Sequence, residues 1–271
     1  MTDAAYLLVH EDREYLLEPG EEFGTDLGVL EVPEDVAAGD TVESHLGTPF
    51  EVRELRGPDL FDHLERTGAP MMPRDVGLVL GLTGVSAGDR VLDAGTGTGI
   101  LAAHLGRIGA DVTTYEIDPE FAEVARENMR VAGVEDRVEV RTGDLAEAVD
   151  ALVVGSDGDD GSDEDDGSDG GNENDVTVLE PPFDVLTLDT GDAPAVVAHA
   201  PDLLVSGGFV AVYSPFVEGT REAVTVAREA GLAEIETLET IQREMDFSDR
   251  GSRPSTRGVG HTGYLVIARA P

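Results

Sequence analysis

Short apolar runs broken by acids and glycines occupy the start of the chain. Tyr6-Leu7-Leu8-Val9 and Glu14-Tyr15-Leu16-Leu17 flank His10 to Arg13, a spacing that predicts a hairpin. Leu27 to Val32 and Thr48 to Leu55 are further candidate strands, punctuated by Gly39-Asp40 and Gly47. The pattern predicts a small β-domain over residues 1–65. Phe61 to Asp75, with Gly68, Pro70 and Pro73, reads as a linker.

From Val76 strands alternate with helices, which predicts an α/β domain over 66–271 with a mostly parallel sheet. Strands are expected at Arg90 to Asp93, Val112 to Tyr115, Val138 to Val140, Phe183 to Leu188 and Phe209 to Tyr213. Helices are expected at Ile100 to Ile108, with Gly109 past its end, and at Thr220 to Ala230. Another starts at Asp118, a plausible N-cap followed by Pro119. Its apolar positions Phe121, Val124, Ala125 and Met129 recur at helical spacing, and Gly133 closes it. Two late strands, Ile235 to Met245 and Tyr264 to Ala268, are expected to pair antiparallel. Gly155 to Asp175 breaks the pattern: its 21 residues hold ten acids, six glycines and no apolar side chain. Such a segment buries nothing that offsets the entropy of ordering, so it reads as a disordered loop inserted into the domain. An acidic mimic of RNA is the functional alternative for it. A Ca²⁺ loop is not favoured, because the EF-hand spacing is absent.

Composition changes the picture in two ways. The 271 residues contain no cysteine, which removes disulfides, thiolate metal sites and cysteine nucleophiles. The six histidines show no metal-ligand spacing, and no metal is expected. No secretory signal and no apolar run of ~18 residues is visible, so a cytoplasmic protein with no membrane partner is expected. The net charge is −39, and all 18 basic residues are arginine. Acids are spread over every segment, which fits a protein built for very high intracellular salt. There the Debye length falls to ~3 Å and self-repulsion is screened. A low isoelectric point then does not argue against a nucleic-acid partner, but phosphates must be met by local arginines. Arg243, Arg250, Arg253 and Arg257 form the densest basic run, and pairing with Glu244, Asp246 and Asp249 is the other use they could have.

The candidate chemistry centres on Val91-Leu92-Asp93-Ala94-Gly95-Thr96-Gly97-Thr98-Gly99, an apolar run ending in alternating glycines before a helix. Backbone without Cβ atoms lets a ligand approach closely. A dinucleotide fingerprint wants a glycine three residues after the second, and that place holds Ile100. Three acids fall at the C-terminal ends of successive strands: Glu116, Asp144 and Asp189. In an open parallel sheet those ends form the ligand crevice. Singly each acid also fits a solvated turn. Together they suit a nucleoside ligand, with Glu116 on the ribose hydroxyls, Asp144 on an adenine amine and Asp189 nearest the reacting centre.

These residues resemble the motifs of class I methyltransferases, whose cofactor is S-adenosylmethionine and whose doubly wound sheet ends in an antiparallel strand pair. Arg253-Pro254-Ser255-Thr256-Arg257-Gly258-Val259-Gly260-His261-Thr262-Gly263-Tyr264-Leu265 resembles the closing motif of tRNA (adenine-N1) methyltransferases. Arg66 through Pro73-Arg74-Asp75-Val76-Gly77 resembles that family's approach to its first strand. The resemblance implies methyl transfer to N1 of a T-loop adenine in tRNA, of the position-58 type, by a homo-oligomer, tetrameric in the family. It implies cofactor contacts from Gly95, Thr96, Gly97, Thr98, Gly99, Glu116, Asp144 and Asp189, with Asp189 catalytic. Met72, Arg253, Arg257 and His261 are candidate substrate contacts. Ala69 and Met72 stand where the family usually carries glutamine and tyrosine. Met72 is either a thioether face for the base or a core residue, and His261 is also readable as part of a structural turn. A protein or small-molecule methyltransferase, or a weakly catalytic cofactor-binding subunit, are the alternatives these departures leave open.

Overall fold

Antiparallel pairing builds the first sheet of this computed structural model, which describes residues 5–149, 181–257 and 260–271. Tyr6–His10 (β1) pairs antiparallel with Arg13–Leu17 (β2) and, on its other edge, with Pro49–Glu54 (β6). Thr41–Glu43 (β5) extends that edge. Glu22–Thr25 (β3) and Gly28–Glu31 (β4) form a separate hairpin. Leu8, Leu17, Leu30, Val42, Phe50 and Val52 are buried together as a core of this part alone. Ala5 and Leu55 instead join the core of the larger sheet.

The stretch expected as a linker is shorter than the sequence suggests. Gly57–His63 forms a helix (α1) that runs into it, and Pro73–Thr83 forms a second (α2) that begins before its end. Pro73 reads as punctuation, yet it sits in the first turn of α2, as Pro58 does in α1, where the missing N–H costs nothing. Only residues 64–72 are irregular.

The larger sheet starts with Arg90–Ala94 (β7). Ile100–Arg107 (α3) leads to Asp111–Glu116 (β8), and Pro119–Val131 (α4) leads to Val138–Thr142 (β9). The side chain of Asp118 caps α4 by accepting from the backbone N–H of Glu120 and Phe121. The acidic stretch 155–175 lies outside the described residues. Phe183–Leu188 (β10) then packs beside β7. Ala193–Ala198 (α5) and Ala200–Leu203 (α6) precede Leu204–Ser214 (β11), and Val217–Glu229 (α7) follows it. Ala233–Glu239 (β12), the hairpin Met245–Ser248 (β13) and Gly251–Pro254 (β14), and Tyr264–Arg269 (β15) complete the chain.

The seven strands run β12-β15-β11-β10-β7-β8-β9. All neighbours from β11 to β9 are parallel, and β15 is antiparallel to both β11 and β12. The expected doubly wound sheet with an antiparallel closing pair is therefore present. Boundaries differ at the late strands. β11 starts at Leu204 rather than Phe209, and β12 stops at Glu239 rather than Met245. Of the residues beyond, 240–244 are irregular and Met245 opens the exposed β13–β14 hairpin, where hydrophobic alternation has no buried face to report.

The centre of the sheet holds one acid. Asp93 on β7 is buried and accepts a 2.5 Å bond from Thr114 Oγ1 on β8 and a short one from Thr187 Oγ1 on β10. Three adjacent strands are thus tied through one carboxylate just below the glycine turn. Burial raises its pKa, and the two hydroxyls oppose that rise. Among the described residues, no helix is long and apolar enough to cross a membrane.

Candidate active site

The turn after β7 is set by three glycines with positive φ: Gly95 at 83°, Gly97 at 53° and Gly99 at 82°. At Gly95 a Cβ would lie 2.1 Å from the carbonyl oxygen of Asp189, so no other residue fits between the two strand ends. The backbone N–H of Asp189 in turn donates to Ala94 O at 2.9 Å. Gly99 has a different duty. It caps α3, and a Cβ there would meet Met129 Cε of α4 at 2.5 Å. It brings helices together rather than facing a ligand. Thr96 also turns inward, its hydroxyl 2.6 Å from that of Thr114.

Glu116, the last residue of β8, reads the turn directly. Its Oε2 accepts from Gly97 N at 2.8 Å and its Oε1 from Asp118 N at 3.1 Å. An ionised carboxylate has about four acceptor sites, so each oxygen keeps capacity for a hydroxyl. Past β9, Asp144 Oδ1 accepts from Ala146 N at 2.8 Å and opens a helical turn at 145–149. A cavity of about 350 Å³ gathers Gly95, Gly97, Thr98, Glu116, Asp144 and Asp189 around one space. The glycines and three acids singled out in the sequence meet there, apart from Thr96 and Gly99.

The remaining wall, Thr67, Gly68 and Ala69, comes from the irregular segment between α1 and α2. Asn128, 2 % exposed in the middle of α4, holds it in place. Its Nδ2 donates to Glu65 O and to Thr98 O, both at 2.8 Å, and its Oδ1 accepts from Glu65 N at 3.1 Å. Sequence reasoning passed over Asn128. The available signal was a polar residue on the apolar stripe that contains Ala125 and Met129.

Asp189 lines a second cavity as well, of about 490 Å³, with Thr190, Tyr213, Pro215 and Phe216. Its carboxylate accepts no side-chain hydrogen bond among the described residues. Burial, with the charge of Asp93 adding to it, pushes its pKa up to about 7. Behind it, Tyr213 packs against Gly263, and burial raises its pKa too. Thr262 Oγ1 donates to Asp75 Oδ2 at 3.0 Å and accepts from Arg74 at 2.9 Å.

The candidate substrate residues are placed apart from this centre. Met72 is half-buried at the N-cap of α2 and lines neither cavity, whereas Met71 lines a small adjoining one. Arg253 and Arg257 are exposed on the β13–β14 hairpin and the segment after it; Arg253 Nε lies 3.8 Å from Asp246 Oδ2. The exposed His261 uses both ring nitrogens on the protein, Nδ1 with Glu239 Oε1 at 2.8 Å and Nε2 with Pro215 O at 3.2 Å. Both partners are acceptors and favour the doubly protonated ring, so its pKa is raised, chiefly by Glu239.

A strand order of 3-2-1-4-5-7-6 counted from β7, a glycine turn, and acids at three strand ends define a class I methyltransferase. Residues 91–153 match the methyltransferase domain family. The chain is 35 % identical to the tRNA (adenine(57)-N(1)/adenine(58)-N(1))-methyltransferase TrmI of Methanocaldococcus jannaschii, over 98 % of this chain and 95 % of that one. It is 26 % identical to the tRNA (adenine(58)-N(1))-methyltransferase TrmI of Thermus thermophilus, over 87 % and 82 % of the two chains. The fold matches a crystal structure of TrmI from Aquifex aeolicus with a TM-score of 0.68 at 19 % identity, covering 98 % of this chain and 96 % of the other. A Thermotoga maritima O-methyltransferase matches with a TM-score of 0.74 at 24 % identity, covering 100 % and 94 %. The chain belongs to the TrmI family of tRNA adenine-N1 methyltransferases.

Two stability measurements check this geometry. Asn128→Ala removes one buried and two half-buried hydrogen bonds and is expected to cost about 2 kcal/mol in urea unfolding; a loss under about 0.5 kcal/mol would show that the wall stands without it. The folded pKa of Asp189 lies above the unfolded value, so ionisation opposes folding. The stability it costs is absent below the unfolded pKa and grows until pH passes about 7. The advantage of Asp189→Asn over wild type should therefore widen by roughly 1–2 kcal/mol between about pH 5 and 8. A pH-independent difference would contradict the desolvated setting.

Proposed function

We propose that this chain transfers the methyl group of S-adenosylmethionine to N1 of an unpaired adenine in the T-loop of tRNA. The observation that carries the reading is the position of Asp189, shared by the glycine-turn cavity and the second cavity. A donor in the first and a base in the second would meet at that acid.

The first cavity fits the cofactor. Gly97 leaves open space where a Cβ would stand, Glu116 keeps acceptor capacity for ribose hydroxyls, and Asp144 can accept from an adenine amine. When bound, S-adenosylmethionine supplies an electrophilic methyl on a sulfonium. Adenine N1 has a free lone pair near neutral pH, so no base is needed before attack. The chain's task is alignment and stabilisation of the positive charge passing to the base. Asp189, in its ionised form, accepts a hydrogen bond from the N6 amino group, whose acidity rises as N1 is alkylated. It orients the base and can take the N6 proton. N1 lies on the pairing edge, so the target must be unpaired or flipped out.

The same reading assigns residues 1–65 as a β-domain and 66–271 as the catalytic domain, in a cytoplasmic homo-oligomer. Arg253 and Arg257, exposed beside the second cavity's end of the sheet, are assigned to phosphates rather than to the base. A net charge of −39 with arginine as the sole strong base supports adaptation to high salt.

The direct test incubates the protein with S-adenosylmethionine and unmodified tRNA in molar KCl and analyses the digested nucleosides by mass spectrometry. 1-Methyladenosine is expected. Its absence when cofactor binding is confirmed would sink the reading. Asp189→Ala should abolish transfer and leave cofactor affinity largely intact, and wild-type kcat/KM should rise with pH through about 7 as Asp189 ionises. A separate measurement addresses salt. The melting temperature should climb by roughly 10 °C or more between about 0.2 and 2 M KCl; a flat or falling curve would remove the adaptation.

A further inference from the structure

The second cavity carries a feature the proposed reaction does not yet use. Phe216 lines it and is 70 % exposed, with Val217 next to it 51 % exposed. An aromatic side chain left in water on a mobile loop would need no explanation, but this one is held on fixed backbone. Ser214 Oγ donates to Phe216 O at 3.0 Å and accepts from Phe216 N at 3.4 Å. Thr220 bonds the same carbonyl through its backbone N–H at 3.2 Å and its hydroxyl at 2.9 Å. The imidazole of His261 donates to Pro215 O, one residue away. Five hydrogen bonds therefore fix a short loop whose product is one exposed ring at the rim of the cavity that Asp189 closes.

Resting on the proposed function, we infer that Phe216 is a specificity-determining residue: the flipped target adenine stacks on its ring while the N6 edge faces Asp189. A base leaving the RNA stack loses its neighbours, and an aromatic face restores that contact. The other aromatic lining this cavity, Tyr213, is packed against Gly263 and is not free to serve as an open face. Phe216 thus supplies the one open aromatic face among the described residues that line this cavity. The more exposed Phe247, at 77 %, sits on the β13–β14 hairpin and lines no cavity with Asp189.

The test compares Phe216→Ala, Phe216→Leu and Phe216→Tyr in the full chain with S-adenosylmethionine and tRNA in molar KCl. Phe216→Ala should lower kcat/KM for tRNA by about 10- to 100-fold, the range expected for one base–aromatic stack. Cofactor affinity should stay within about twofold, which also reports an intact fold. Phe216→Tyr should restore most of the activity and Phe216→Leu little of it. A second readout places 8-vinyladenosine, a fluorescent adenosine that keeps the N6 amino group, at the target position. Its fluorescence should be quenched on binding wild type and should rise on binding Phe216→Ala. The inference is overturned if Phe216→Ala stays within about twofold of wild type, if leucine restores activity as well as tyrosine, or if both proteins give the same fluorescence. A wild type that makes no 1-methyladenosine refutes the proposed reaction instead, and the fluorescence arm still reads the stack.

Discussion

The contact on which the site depends is the apposition of Gly95 and Asp189 across two neighbouring strands. A carbonyl oxygen stands where any side chain at 95 would begin, so the turn and the acid cannot be moved apart independently. Register between β7 and β10 sets it, and the Asp93 carboxylate, bonded to threonines on both flanking strands, reinforces that register from beneath. Everything else attaches to this pair. Glu116 reaches back to Gly97, and Asn128 fastens the segment 65–69 to Thr98. The ligand crevice is built mainly from backbone groups fixed by strand ends, and side chains add charge to a shape already made.

That charge is one-sided. Asp93, Glu116, Asp144 and Asp189 gather at the same end of the sheet. Each of the first three is satisfied by protein donors: hydroxyls for Asp93 and backbone N–H groups for Glu116 and Asp144. Asp189 is the exception: burial raises its pKa, as it does for Asp93, but among the described residues no side chain donates to its carboxylate. A polar group held in that condition is unfavourable for folding and suits a group that waits for a donor from outside the chain.

The parallel sheet was legible because its strands are buried on both faces and leave short, mostly apolar runs, as in Val185-Leu186 and Val91-Leu92. The site acids were legible because strand ends are where those runs stop. What escaped had physical reasons. Pro73 looks like a break although it opens a helix. α5 and α6 are too short to show a helical period. The β13–β14 hairpin has no buried face. Asn128 and Thr67 act through hydrogen bonds between segments far apart in sequence, which no local pattern encodes. Thr96 and Gly99 belong to the motif by position, yet the fold spends them on packing.

Two cavities that share one acid also organise the order of events. The glycine-turn space and the space beside Phe216 lie on either side of the turn after β10 and the start of α5, and the residues they share are Asp189 and Thr190. On the proposed reading, donor and RNA use separate doorways. The spent donor can then be exchanged while the RNA stays docked, and neither ligand has to leave before the other. A chain arranged in this way is suited to renewing its donor without giving up its grip on the nucleic acid.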